Sequence, residues 1–266
     1  MRELSFGFSP CPNDTFAFHA AVHGLIDPEL QLVPSLRDIE ELNRAARSSE
    51  LQLTKLSVGA LAMLGDRYRP LRAGAALGRG VGPLVVAREQ ATLAQAAGAR
   101  IAVPGLDTTA FLLLRLAAPE LGEVVEIRYD RILDAVATGE VDAGLIIHES
   151  RFTYLDHGLV RVADLGEWWE GETGLPVPLA VIGARADLDP DVAAAAEATL
   201  RASVEHAFAH PEASRAYVRA HSQELSDAVC DQHIALYVNE FSIDLGDEGL
   251  HAVQMLTSRS GEAVGK

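Results

Sequence analysis

The chain has 266 residues, 48% hydrophobic and 23% charged, too apolar for a disordered chain and too often interrupted by charge for a membrane protein. Asp and Glu outnumber Lys and Arg 38 to 22, a formal net charge of −16. So acidic a molecule repels phosphate backbones, which argues against nucleic-acid binding and leaves any anionic ligand to a few local donors.

Leu4–Ser9 (LSFGFS) reads as a strand stopped by Pro10, and Pro12-Asn13-Asp14-Thr15 supplies turn and N-cap for a helix over Phe16–His23, closed by Gly24. Asp38–Arg47 is helical, with Ile39, Leu42 and Ala46 on one face. Leu51–Leu56 is a strand, and a small-residue helix, Val58–Leu64, follows Ser57. Gly74–Gly82 holds four glycines in nine residues, and Leu84–Ala87 is an apolar strand. Helices over Ala91–Gly98, Thr108–Leu116 and Arg131–Thr138 then alternate with strands over Arg100–Val103, Val124–Tyr129 and Val141–Ile147. Such alternation predicts an α/β fold with parallel sheets of βαβ units. Leu175–Ala184 is another apolar strand, its prolines confining its first half to an edge or crossover. From Pro190 onward only helices are expected, among them Val192–His210 and Ser226–Asn239.

Residues 89–175 form an α/β unit of their own, inserted into a larger discontinuous α/β domain of residues 1–88 and 176–266. Leu84–Ala87 and Leu179–Gly183 are the expected crossings, and two lobes joined by two extended strands make a hinged cleft. The N-terminus lacks an apolar signal region, and the uncharged stretch Gly174–Ala184 is far short of the ~20 residues that span a bilayer. Two cysteines, Cys11 and Cys230, are too few for a disulfide framework or a Cys-rich zinc site. A cytoplasmic protein with reduced thiols and no membrane partner is expected.

In open parallel sheets ligands bind beyond the carboxyl ends of the strands. Those positions hold Ser9–Thr15 (SPCPNDT), Lys55–Ser57 (KLS), Gly105–Thr109 (GLDTT), Asp130-Arg131 and His148–Ser150 (HES). Asp107-Thr108-Thr109 opens a helix, so it is either an anion site, with Lys55 adding charge, or an ordinary N-cap beside a solvated lysine. His148 ends an apolar strand and suits either a base or a hydrogen-bonded structural imidazole. Glu149 is a doubtful orienting partner, because adjacent strand residues point to opposite faces. Ser9, Asn13 and Asp14 are further cleft-lining candidates, as is Arg79, although its GRGVG run reads as a hinge or tight turn. Cys11 lies near a helix start that would lower its pKa, but no base is assignable to it. The pairs His19/His23 and His206/His210 lack a third metal ligand; these, with His221, His233 and His251, read as surface or partly buried helix residues. Trp168 and Trp169 either cover the cleft or pack between lobes.

Taken together, Ser9–Phe16 (SPCPNDTF), Thr54–Ser57 (TKLS), Leu77–Val86 (LGRGVGPLVV), Thr108-Thr109, Tyr129–Leu133 (YDRIL), Gly144–Tyr154 (GLIIHESRFTY) and Trp168–Pro178 (WWEGETGLPVP) resemble the 1,4-dihydroxy-6-naphthoate synthase family of the futalosine route to menaquinone. The likeness runs from near residue 4 to at least 245. It implies a type II periplasmic-binding-protein-like fold with a central cleft. It also implies a lyase that takes a small anionic substrate, cyclic dehypoxanthine futalosine, and releases the naphthoate and dihydroxyacetone without metal or cofactor. By the same resemblance His148 is the proton acceptor, and Lys55, Leu56, Ser57, Thr108 and Thr109 bind substrate. The alternatives are the chorismate dehydratase of the same pathway and a small-anion-binding protein without catalysis.

Overall fold

Strands divide between two mixed sheets in the structure, a computed structural model that describes residues 2–26, 30–222 and 226–264. The first sheet has the order β2 (Leu30–Leu36), β1 (Arg2–Phe8), β3 (Leu53–Ser57), β11 (Val177–Arg185) and β4 (Tyr68–Pro70), with β5 (Ala76–Gly78) also paired to β11. The second has the order β10 (Val160–Asp164), β6 (Leu84–Ala87), β9 (Ala143–Ile146), β7 (Ile101–Val103) and β8 (Val124–Glu126). The expected parallel pairing holds for β1 with β2 and β3 and for β7 with β8 and β9. It fails for β11 and β6, which run antiparallel to all their neighbours. Neither strand follows a helical crossover from a neighbour in its own sheet, so nothing requires it to run parallel. β6 lies inside the second sheet rather than at a crossing between lobes. The chain passes between sheets at 79–83 and again at 165–176.

β2, β4, β5 and β10 have no counterpart among the strands expected from sequence. Pro34 masks β2, yet that strand pairs only with β1, and a proline is tolerated on such an edge. β5 occupies the glycine-rich run that reads as a hinge, and β8 stops at Glu126, with Tyr129–Arg131 forming a 3-10 turn.

The helices are α1 (Pro12–Val22), α2 (Ile39–Arg47), α3 (Val58–Leu64), α4 (Leu93–Gly98), α5 (Thr109–Ala117), α6 (Ile132–Thr138), α7 (Ser150–Thr153), α8 (Leu165–Thr173), α9 (Pro190–Ala209), α10 (Arg215–His221), α11 (Asp227–Tyr237), α12 (Glu240–Ile243) and α13 (Gly246–Val264). α1 starts four residues before its expected Phe16, because Pro12 is at its first position, where a fixed φ and a missing N–H cost nothing. Asn13 and Asp14 thereby become first-turn residues of a helix. α2 carries a full capping box between Asp38 and Glu41.

α1 and α9 pack together, and both contribute to a core with β1, β2 and β11. A second core joins the two sheets through Leu56, Val181, Val85, Leu145 and the fully buried Trp169. Trp169 donates its indole N–H to the Pro176 carbonyl at 3.0 Å, so it packs at the return to β11 instead of covering a cleft. Gly59 brings α3 against the start of α5: a Cβ there would lie 2.9 Å from the Thr108 carbonyl oxygen. Among the described residues no helix is long and apolar enough to cross a membrane.

Candidate functional site

A cavity opens where the two sheets face each other, lined by residues of both. Ser9, Asn13 and Asp14 enter from the β1–α1 junction, and Lys55 and Ser57 from β3. Thr108 and Thr109 come from the start of α5, His148 from beyond β9, and His233 and Tyr237 from α11. Side chains alternate along β3, so Lys55 and Ser57 share the cavity face and Leu56 takes the other. Leu56 is fully buried in the core and does not line the cavity, so its side chain is a packing group, contrary to the expectation that it meets substrate.

Lys55 is no solvated surface group. Its Nζ donates to Asp14 Oδ1 at 2.7 Å and to the Gly74 carbonyl at 3.1 Å, and lies 5.4 Å from the centre of the Phe18 ring. Asp14 also accepts from Ser9 N at 3.1 Å, Ser9 Oγ at 2.8 Å and Asn13 Nδ2 at 2.9 Å. Both charged side chains are almost wholly buried. The SPCPND segment is thus fastened to β3 by a paired and hydrogen-bonded charge, the condition under which burial of ions is tolerated.

Asn43, on α2, holds Ser57 twice. Its Oδ1 accepts from Ser57 N, and its Nδ2 donates to Ser57 Oγ, both at 3.0 Å. Asn43 also donates to Glu40 Oε2 at 3.3 Å, and the other Glu40 oxygen accepts the Asp107 N–H at 3.4 Å. Burial, with Asp107 nearby, pushes the Glu40 carboxyl up to about 7. A folded-state pKa above the ordinary 4.5 means the native protein binds the extra proton, so this contribution is complete at low pH and fades as pH rises toward about 7. Glu40→Gln carries no charge and, like the protonated acid, keeps one carbonyl acceptor for Asn43 or Asp107. The variant should be more stable than the parent by about 1–2 kcal/mol at pH 8 and equal to it near pH 4.5. Urea unfolding at the two pH values measures this, and a variant no more stable at pH 8 contradicts it.

Both threonine hydroxyls are occupied within the protein. Thr108 Oγ1 caps α5 by accepting from Phe111 N at 3.2 Å and donates to the Gly105 carbonyl at 2.7 Å. Thr109 Oγ1 accepts from Gly59 N at 3.0 Å and donates to the Leu179 carbonyl at 2.7 Å. What this corner offers a ligand is the backbone N–H groups of the first helical turn, which the helix cannot pair itself.

His148 follows the strand in a turn, with φ of +56°, a conformation unusual for any residue but glycine. Its Nε2 is buried without a hydrogen-bond partner. The Tyr129 ring stands edge-on to it, 4.9 Å between centres. Burial lowers the His148 pKa; the negative charges of Glu149 and Asp14 oppose that shift and Lys55 adds to it. The imidazole is therefore neutral at pH 7, with a lone pair available. Strand alternation does not govern Glu149, because both residues lie beyond β9; its influence on His148 is electrostatic.

Arg79 does not line the cavity. It is exposed and donates to the Gly174 carbonyl at 3.1 Å and to Glu248 at 2.8 Å, tying the β5–β6 connection to α13. Val81 and Pro83 from that connection line the cavity instead. Burial and the neighbouring Glu149 raise the Cys11 thiol well above its ordinary value, opposite to the effect expected of a helix start, so it is no nucleophile. Three site residues were not legible as such: Glu40, Asn43 and His233. Glu40 and Asn43 lie on a plainly amphipathic helix whose polar positions gave no reason to expect burial. His233 carries one available signal, a tyrosine four residues on, which places both rings on one helix face.

The fold and cleft define a class. The periplasmic aliphatic sulphonate binding protein of Escherichia coli superposes with a TM-score of 0.66 at 15% identity, covering 98% of this chain and 87% of that one. The architecture is that of the periplasmic-binding-protein-like α/β folds. A structure from Archaeoglobus fulgidus superposes with a TM-score of 0.92 at 38% identity over 99% of this chain and 98% of that one. The family model described as "Menaquinone biosynthesis" matches residues 4–262. A "1,4-dihydroxy-6-naphtoate synthase" of Thermus thermophilus is 57% identical over 96% of this chain and 93% of its own length. One of Streptomyces coelicolor with the same name is 46% identical over 97% and 92%. The chain belongs to the 1,4-dihydroxy-6-naphthoate synthase family of menaquinone biosynthesis, a family of enzymes.

Proposed function

We propose that this chain is a carbon–carbon lyase that cleaves cyclic dehypoxanthine futalosine to 1,4-dihydroxy-6-naphthoate and dihydroxyacetone, with His148 as general base. The observation that carries the reading is the unpartnered Nε2 of a neutral imidazole on the wall of the cavity between the sheets. In a retro-aldol cleavage the base takes a hydroxyl proton, the oxygen electrons form a carbonyl, and the breaking carbon–carbon bond delivers its pair to the ring system. Aromatisation of the ring supplies driving force from the substrate itself. The substrate carboxylate sits at the first turn of α5, where the helix dipole and unpaired N–H groups favour an anion in an otherwise acidic protein.

The binding partner is this small anion alone, with neither nucleic acid nor membrane. Two buried cysteines that form no disulfide favour the cytoplasm as its setting. The larger discontinuous domain and the inserted domain form the two sides of the cleft. Their first boundary lies before Leu84, because β6 pairs within the second sheet.

Purified protein incubated with the cyclic substrate should yield the naphthoate and dihydroxyacetone in equal amounts by mass spectrometry. Unchanged substrate, or dehydration of chorismate instead, overturns the reading.

A further inference from the structure

The cavity holds a second imidazole. His233 projects from α11 one turn before Tyr237, and both side chains line the cavity beside the β9 turn that carries His148. The two imidazole rings are 6.2 Å apart between centres. His233 is 1% exposed, and neither of its ring nitrogens has a hydrogen-bond partner among the described residues. Its other ring neighbours are Tyr237 at 4.6 Å and Phe152 at 6.4 Å. A buried polar atom without a partner is costly, and most such groups in proteins are satisfied. Two on one ring, at the edge of a cavity, are best accounted for by a molecule that fills the cavity and supplies the missing partners.

The cleavage proposed above has two ends. One needs a base for the hydroxyl proton, and the other develops negative charge on the ring-carbonyl oxygen as the carbon–carbon bond breaks. His148 serves the first. We propose that His233 is a second catalytic residue: its imidazole N–H donates a hydrogen bond to the oxygen on which that charge collects. Burial, together with the neighbouring His148, holds its pKa well below the ordinary value, so it keeps one N–H and one lone pair at neutral pH. No net proton transfer is asked of it. The proton taken by His148 returns to that oxygen when the ring becomes aromatic, so atoms and electrons balance without a co-reactant. A donor aimed at a developing oxyanion in a site shielded from water is worth about 10²–10³-fold in rate.

The inference rests on the proposed function, and the two fail differently. His233→Phe should lower kcat by about 10²-fold or more, with KM within about threefold of the parent and no loss of thermal stability. His233→Gln, whose amide restores a donor, should recover kcat to within about tenfold of the parent. If the phenylalanine variant does not fold, His233→Leu takes its place. A parent enzyme that turns over while the His233→Phe variant keeps its kcat overturns the inference alone. Equal losses in the Phe and Gln variants make His233 a packing group and also overturn it. A parent protein that leaves the cyclic substrate untouched removes the proposed function, and this inference with it.

Discussion

His148→Asn should lower kcat by about 10²–10⁴-fold, the range typical of a lost general base, while folding and substrate binding persist. Asparagine is the substitution of choice because of the backbone. Position 148 has φ of +56°, and asparagine tolerates the left-handed region better than alanine or glutamine does. A fall in rate therefore reports lost proton transfer and not a distorted turn. The acid limb of kcat/KM in the parent should lie below the ordinary imidazole pKa of 6.5, because burial disfavours the imidazolium. A variant that keeps more than about a tenth of the parental kcat rules His148 out as the base.

The largest stability effect is expected at the buried Lys55–Asp14 pair. Asp14→Asn strips Lys55 of its counter-ion and leaves the ammonium with the Gly74 carbonyl and the Phe18 ring. Breaking a buried pair in this way costs about 3–5 kcal/mol. Lys55→Met should cost distinctly less, because Asp14 retains donors from Ser9 N, Ser9 Oγ and Asn13 Nδ2. Combining the two substitutions should cost less than Asp14→Asn alone, since no uncompensated charge then remains. Chemical denaturation of the three variants decides the matter. If Lys55→Met proves as destabilising as Asp14→Asn, the asymmetry argued from the donor count is wrong. The ordering matters for the site as well as for stability, since this pair joins the β1–α1 junction to β3, and both elements line the cavity.

Much of the site was legible because short-range patterns report the backbone state and the face a side chain takes. The run Gly144–Ile147 marks a buried strand with His148 just beyond its end, and that is where the structure puts them. Alternation along Leu53–Ser57 sends Lys55 and Ser57 to one face and Leu56 to the other. Pro12 begins the helix that carries Asn13 and Asp14, four residues ahead of its expected start. The partners of these residues were not legible. Nothing local says that Lys55 meets Asp14, 41 positions away, or that Asn43 would brace Ser57. Arg79 illustrates the converse: by sequence it is a cleft candidate although its glycine run reads as a hinge or tight turn, and its partners are Gly174 and Glu248.

By itself, then, the sequence determined the α/β class, most elements and their buried faces, the position of His148 and the segments that mark the family. Only the tertiary structure decided that β6 and β11 run antiparallel in separate sheets, that Arg79 and the Leu56 side chain lie off the cavity, and that His233 arrives beside His148 from a helix 85 positions further along the chain. Helix and strand periodicity act over a few residues and are written in residue type. The burial that brings distant segments together is non-directional, so the choice among possible partners belongs to the packing of the whole molecule.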